Sequence, residues 1–333
     1  MMKLFVFAAL AALLFASGAQ YILEPILKKL SARQTINELG PQNHKSKQGA
    51  LTMGGMGFLP AGALLTILFS LIWKGGIPLP LLYSVACMLL FGAIGFYDDY
   101  LKVVRRRSVG LSARQKLLLQ IAAALIMTLI GLKANVYGVK LSLPFTDTKL
   151  DCVYVYLPLT LFAFVAVDNS ANLLDGLDGL LSSNSVIVFL SMAAFLVANG
   201  LKSGNDALTS LGLFAVIMAC ALMGFLVYNT HPARMFMGDV GSLGIGGAIA
   251  GMAVASGCTL MLPFMLVTML ISSLSDILQL LYMRRHRGRK LFRMSPYHHH
   301  LELGGMPETR IVAVYDAVTL AGCALALILF LRV

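Results

Sequence analysis

Apolar residues fall along this chain in long continuous runs separated by short polar connections. The runs do not alternate residue by residue, so they predict membrane-spanning α-helices rather than the strands of a β-barrel. Ten runs approach the ~20 residues needed to cross ~30 Å of hydrocarbon. They cover 4–23, 50–73, 78–97, 114–133, 155–172, 180–199, 206–228, 241–256, 260–283 and 310–331. The eighth, GSLGIGGAIAGMAVAS, is short and rich in glycine, which suits close packing between helices. The first resembles a cleavable signal peptide, with a lysine, an apolar run and small residues at Ser17-Gly18-Ala19. It runs on through Tyr21-Ile22-Leu23 and has more basic residues after it than before, so it reads as an uncleaved first span. Residues 134–154 alternate around Pro144 and predict a short hairpin on the outer surface. No connection is long enough for a separate soluble domain. The expectation is one all-α polytopic membrane domain over residues 1–333.

Composition supports this. The chain is 58% hydrophobic and 12% charged, with a mean hydropathy of +0.82, whereas a soluble domain carries about a quarter charged residues. The net charge of +11 reads as a positive-inside bias rather than as nucleic-acid binding. The connections after odd-numbered spans, with their flanks, hold 19 of the 26 Lys and Arg residues. Those connections are therefore expected in the cytoplasm and both termini outside. The five cysteines are scattered, mostly in apolar runs, and read as small core residues rather than a disulfide or zinc framework.

The aspartates change the picture. Asp98, Asp99, Asp175, Asp178 and Asp239 fall in the same basic connections, and Asp168 and Asp276 lie in neighbouring spans. A topology signal explains lysines and arginines but not these. Carboxylates mixed with excess base on one face fit a site for a metal and a polyphosphate. In DNSANLLDGLDGL (168–180), a continuing helix would place Asp168, Asn172 and Asp175 on one face. An acidic group beside hydrocarbon is by default functional. Asp98-Asp99 close the third span, on the unfavourable end of the helix dipole. GDVGS (238–242) opens the eighth span and is either a phosphate and metal site or a simple N-cap. In the last connection the basic half of RRHRGRKLFRMSPYHHHLELGG is an anchor for anionic membrane lipids. His298, His299 and His300 follow it and cannot all point one way on a helix. KSKQGALTMGG (45–55) is weak by itself; Lys47 and Lys116 are either phosphate contacts or topology determinants.

DDYLK (98–102), DNSANLLDGLDGL (168–180), MGDVGSL (237–243) and FRMSPYHHHLEL (292–303) together resemble the polyprenyl-phosphate N-acetylhexosamine-1-phosphate transferases. The resemblance covers essentially the whole chain and is closest to the branch that transfers phospho-N-acetylmuramoyl-pentapeptide, with SPYHHHLE as its specific part. Two motifs depart from the family pattern: ALTMGG stands at 50–55 where TPTMGG is usual, and Leu174 where Thr precedes DGLDG. The resemblance implies transfer from UDP-MurNAc-pentapeptide to undecaprenyl phosphate with Mg2+ as cofactor, giving lipid I and UMP. It also implies a homodimer, inhibition by nucleoside antibiotics, and a bacterial plasma membrane location with the active site at the cytoplasmic face. Carried over motif by motif, Asp239 would bind Mg2+, with Asp175 as a second candidate, and Asp98 and Asp99 would serve the lipid phosphate or act as base. Asn172, Asp175, Gly176, Leu177, Asp178, Asn229, Phe236 and Gln279 would form the nucleotide pocket. Lys47, Lys116, His298, His299 and His300 would contact phosphates and substrate, with His298 among the catalytic groups. Single displacement assisted by Asp98 is the favoured route. The rivals are a sibling transferase using UDP-GlcNAc and a secondary transporter, which would place its charges near the bilayer midplane.

Overall fold

The computed structural model describes residues 1–30, 32, 50–107, 109–136, 140–143, 149–151 and 153–330. The helices are α1 (Met2–Lys29), α2 (Gly55–Lys74), α3 (Leu79–Val103), α4 (Ala113–Lys133), α5 (Val153–Leu174) and α6 (Leu180–Ser203). They continue with α7 (Asp206–Asn229), α8 (Gly238–Ser256), α9 (Leu262–Met265), α10 (Val267–Arg285), α11 (Tyr297–Glu302) and α12 (Glu308–Phe330). Strands β1 (Lys140–Ser142) and β2 (Lys149–Asp151) pair antiparallel, with Leu141 opposite Leu150. They form the hairpin expected between the fourth and fifth spans.

Among the described residues, α1–α8 and α12 are each long and apolar enough to cross a membrane, so the chain is a multi-pass membrane protein. The predicted ninth span, 260–283, differs from expectation. It breaks near Leu266 into Thr259–Met265 and Val267–Arg285, which meet at 80°. At the break the backbone leaves helical geometry (Leu266 φ −104°, ψ 26°), which removes helical partners from nearby carbonyls. α12 covers them: the Cys323 Sγ lies 3.8 Å from the Met265 oxygen, and Gly322 leaves room for the Phe264 carbonyl. Neighbouring helices commonly re-satisfy a broken membrane helix this way.

α8 is the centre of the bundle. Every residue from Val240 to Ala255 is buried, as a helix apolar on all sides requires. Its glycines admit a neighbour on each side. Leu59 of α2 lies against Gly244, Asp168 of α5 against Gly246, and Cys87 of α3 against Gly247 and Gly251. α1 lies at the periphery, with Val6, Phe7, Leu10 and Leu14 exposed on an apolar outer surface. This packing brings the C-terminal ends of α3 and α5 together with the N-terminal ends of α4 and α8.

The closest approach is at Gly95 of α3, where a Cβ would lie 2.1 Å from the Asp239 carbonyl oxygen. Gly95→Ala must push α3 from the start of α8, at a loss of about 1–3 kcal/mol. Gly18→Ala on α1 meets nothing within 4 Å and should be neutral. Thermal unfolding in detergent should show the first variant several degrees below wild type and the second unchanged.

Candidate active site

α3 delivers three charged groups to this end of the bundle. Asp98 and Lys102 stand at i and i+4, and their side chains meet at 2.5 Å. The other oxygen of Asp98 accepts the Leu111 N–H at 2.6 Å. Asp99 points elsewhere: its Oδ2 accepts the Val240 N–H at 3.1 Å, so it caps the positive end of α8. Both aspartates are buried. Adjacent carboxylates that would otherwise repel are thus held by separate partners.

Asp239, in the first turn of α8, is the hub. Its Oδ2 receives Lys102 Nζ at 2.7 Å and Lys116 Nζ at 3.1 Å. Its Oδ1 receives the Asn172 Nδ2 at 2.7 Å. That amide also reaches Ser242 Oγ at 2.9 Å, and Asn172 Oδ1 accepts Lys116 Nζ at 3.1 Å. One oxygen from each of Asp98, Asp99 and Asp239 lies within 4.8 Å of the other two. An all-oxygen, carboxylate-rich donor set is what a hard divalent cation binds, so these residues fit a metal of that class. One turn deeper, Gln120 Nε2 donates to Asp168 Oδ2 at 2.6 Å, and Asn169 donates to Gln120 at 3.0 Å. α4 and α5 are therefore joined by two rungs, Lys116–Asn172 and Gln120–Asp168, on the predicted face of α5.

α5 ends at Leu174, and residues 175–179 turn tightly into α6, with Gly179 at φ 77°. Asp175 sits on this turn. Burial first, and then the charges of Asp239, Asp99 and Asp178, push its carboxyl up to about 8. Gly176 faces α11, where a Cβ would lie 2.3 Å from His298 Nε2 and 3.1 Å from His299 Nε2. His298 and His299 are buried, and the His299 ring meets Glu302 at 3.1 Å. His300 turns away: its Nδ1 accepts the Arg293 N–H at 3.0 Å, and its ring packs between Phe292 and Tyr297. His298 and His299 share the Gly176 side and His300 leaves it, so the three do not all point one way, as expected.

The structure thus brings together Asp98, Asp99, Lys116, Asn172 and Asp239, with Asp175, Gly176, His298 and His299 alongside. Other expected residues are engaged in holding the walls. Asn229 is buried, accepts from Ser182 at 2.6 Å and donates to the Met235 carbonyl at 3.0 Å. Gln279 binds the Leu291 and Phe292 N–H groups at 3.0 and 2.9 Å and the Phe292 carbonyl at 3.2 Å. Leu177 is buried within the turn, and Phe236 is half-buried with its backbone bonded to Leu51 and Gly54. Lys47 lies outside the described residues. Sequence reasoning counted Lys102 only as a topology lysine, although the i, i+4 spacing within DDYLK held its signal. It read Ser242 only as a possible N-cap and gave no role to His231 or Glu308, whose partner Asp178 is 53 and 130 residues away.

Residues 81–257, which carry most of this geometry, match the family model of glycosyl transferase family 4. The chain is similar to the phospho-N-acetylmuramoyl-pentapeptide-transferase of Caldanaerobacter subterraneus, 40% identical over 324 residues and covering 96% of each chain. It is 39% identical over 301 residues to the enzyme of that name from Staphylococcus carnosus, covering 90% of this chain and 91% of the relative. It is 36% identical over 302 residues to that of Listeria monocytogenes serotype 4b, covering 91% and 90%. The chain belongs to glycosyl transferase family 4, within its phospho-N-acetylmuramoyl-pentapeptide-transferase branch.

Two outcomes follow from the turn at 175–179. The Asp175 carboxyl stands near 4 in an unfolded chain and at about 8 in the folded, metal-free protein. Its stabilising contribution is then full below pH 4 and is lost as pH rises through about 8. The unfolding temperature of metal-free wild type should fall between about pH 5 and 8, and Asp175→Asn should flatten that fall. Gly176→Ala should drive His298 off the turn and reduce activity on the order of 10-fold or more, read as initial rate in a variant that still purifies as a folded species.

Proposed function

We propose that this protein transfers phospho-MurNAc-pentapeptide from UDP-MurNAc-pentapeptide to undecaprenyl phosphate, forming lipid I and releasing UMP. The reaction would run at the cytoplasmic face of a bacterial plasma membrane, as the first membrane step of peptidoglycan synthesis, with Mg2+ as cofactor and in a homodimer. The observation that carries the reading is the carboxylate cluster of Asp98, Asp99 and Asp239, with Lys102 bridging Asp98 and Asp239 and Lys116 on Asp239, where four helix ends meet. The names of the relatives support the donor and favour it over UDP-GlcNAc. The excess of Lys and Arg in the connections at the carboxylate-bearing end supports the cytoplasmic orientation. The position of the carboxylates at helix ends speaks against a transporter's midplane site.

A soluble nucleotide and a lipid phosphate can meet only where spans end, which is where the cluster lies. An oxygen of the lipid phosphate attacks the sugar-linked phosphorus. The bond from that phosphorus to the bridging oxygen breaks, and UMP leaves with the electron pair. A phosphate monoester has a second pKa of about 6, so the acceptor is already largely dianionic at neutral pH. Asp98, fixed by Lys102 and the Leu111 N–H, therefore orients the acceptor site more than it removes a proton. Lys102, 40% exposed, and Lys116 present positive charge where negative charge gathers on the leaving oxygen. Asp239, Asp98 and Asp99, with Asp175 beside them, would hold Mg2+, which supplies Lewis-acid neutralisation of the diphosphate. The 175–178 turn and Phe236 would contact the nucleotide, with Asn229 and Gln279 holding the walls. Nucleoside antibiotics would compete there.

The test is UMP release and lipid product formation by detergent-purified protein, with UDP-GlcNAc and EDTA in parallel. Asp239→Asn and Lys102→Ala should each lower kcat on the order of 10²–10³-fold. Turnover with UDP-GlcNAc alone, or full activity in EDTA, would overturn the donor or the metal.

A further inference from the structure

A second convergence of polar groups lies beside the carboxylate cluster and is not used in the chemistry above. Asp178 is 1% exposed in its side chain. Its Oδ2 accepts the Ala233 N–H at 3.0 Å and stands 3.0 Å from the His231 Nδ1. Its own backbone N–H donates to Glu308 Oε1 at 2.5 Å. The other oxygen of Glu308 is 3.5 Å from the same imidazole nitrogen. Three segments meet here: the 175–179 turn, the loop from α7 to α8, and the first turn of α12. Two carboxylates that close would repel, and the His231 imidazole nitrogen lies within 3.5 Å of both. His231, 44% exposed, is the member of the trio open to solvent.

We propose that His231 and Glu308 are positioning residues for the donor nucleotide, acting through Asp178 to fix the 175–179 turn relative to the loop that leads into Asp239. The proposal rests on the donor reading given above. The turn carries Asp175 and Gly176, and the loop ends at Gly238, immediately before Asp239. The trio therefore sets the separation between the two walls a nucleotide would touch. Asp239 has anchors of its own in Lys102, Lys116 and Asn172. Loosening the trio should then weaken donor binding while leaving Asp98, Asp99, Asp239, Lys102 and Lys116 in place.

The experiment is steady-state kinetics on the full chain in detergent, with UDP-MurNAc-pentapeptide and undecaprenyl phosphate varied separately, for His231→Ala, His231→Asn, Glu308→Ala and His231→Ala/Glu308→Ala. An Asn side-chain N–H can replace the imidazole Nδ1–H toward Asp178. His231→Ala and Glu308→Ala should each raise the donor KM about 10-fold or more, with kcat and the acceptor KM within about two-fold. His231→Asn should recover most of the loss, and the double variant should be far from additive. Unchanged donor KM, a fall in kcat at constant KM, or no difference between the Asn and Ala variants would overturn the proposal. Should wild type turn over neither donor, the donor reading fails first. Calorimetric binding of UDP-MurNAc-pentapeptide then decides: tighter binding to wild type than to His231→Ala keeps the positioning role, and equal or absent binding ends it.

Discussion

Three carboxylates within reach of one ion, two of them buried and the third partly so, are the constraint from which the rest of this structure follows. Two like charges 4 Å apart repel by about 4 kcal/mol at an effective dielectric near 20, and one oxygen from each of Asp98, Asp99 and Asp239 lies within 4.8 Å of the other two. Each is therefore held by a different donor. Asp98 has Lys102 and a backbone N–H, Asp99 has the start of α8, and Asp239 has two lysines and an amide. Lysine suits this role because its long apolar stem can lie along the bundle while its ammonium reaches the polar boundary. The lysines are thus part of the site and not only a record of topology.

The cluster could not form without the packing beneath it. Ordinary helix pairs sit 8–10 Å apart, with side chains between their backbones. α3 and α8 approach with Gly95 against the Asp239 carbonyl and Cys87 against Gly247 and Gly251. That contact puts the last turn of α3 beside the first turn of α8, so that Asp98 and Asp99 reach the space in front of Asp239. The glycine content of α8 therefore has a chemical consequence as well as a structural one. A wider crossing would preserve a folded bundle and separate the carboxylates.

Much of this was legible in the residues. Continuous apolar runs gave the spans, the glycines of 241–251 gave the tight eighth helix, and helical periodicity aligned Asp168 and Asn172; Asp175, expected on the same face, falls beyond the helix end at Leu174, on the turn. The hairpin between the fourth and fifth spans was readable from alternation around Pro144. The break at Leu266 was not read, although Pro263 stands three residues before it; its freed carbonyls are compensated by α12, far along the chain. Lys102 was hidden in plain view, since a lysine at a cytoplasmic span end has a sufficient explanation without any site. His231 and Glu308 were invisible for a different reason: each has meaning only through Asp178, and a sequence separation of 130 residues carries no local pattern.

On the proposed reading, the two clusters divide the work of a membrane-surface transferase. One is rigid and charged, built on four helix ends that are committed to the bundle core by their apolar faces. The other is built on connections, where a turn, a loop and a helix start are joined by a few hydrogen bonds. A soluble nucleotide must enter and a nucleotide product must leave, so the wall it touches cannot be anchored as deeply as the wall that does the chemistry. Gly176 is where the two requirements meet. It lets His298 and His299 close over the turn without a side chain between them, so the loop-built wall is pressed against α11, whose own start is tied to α10 through the Tyr297 N–H and Ser275. The position of the substrate is then set by connections, and the position of the charge by helices, with the turn between Asp175 and Asp178 as the hinge common to both.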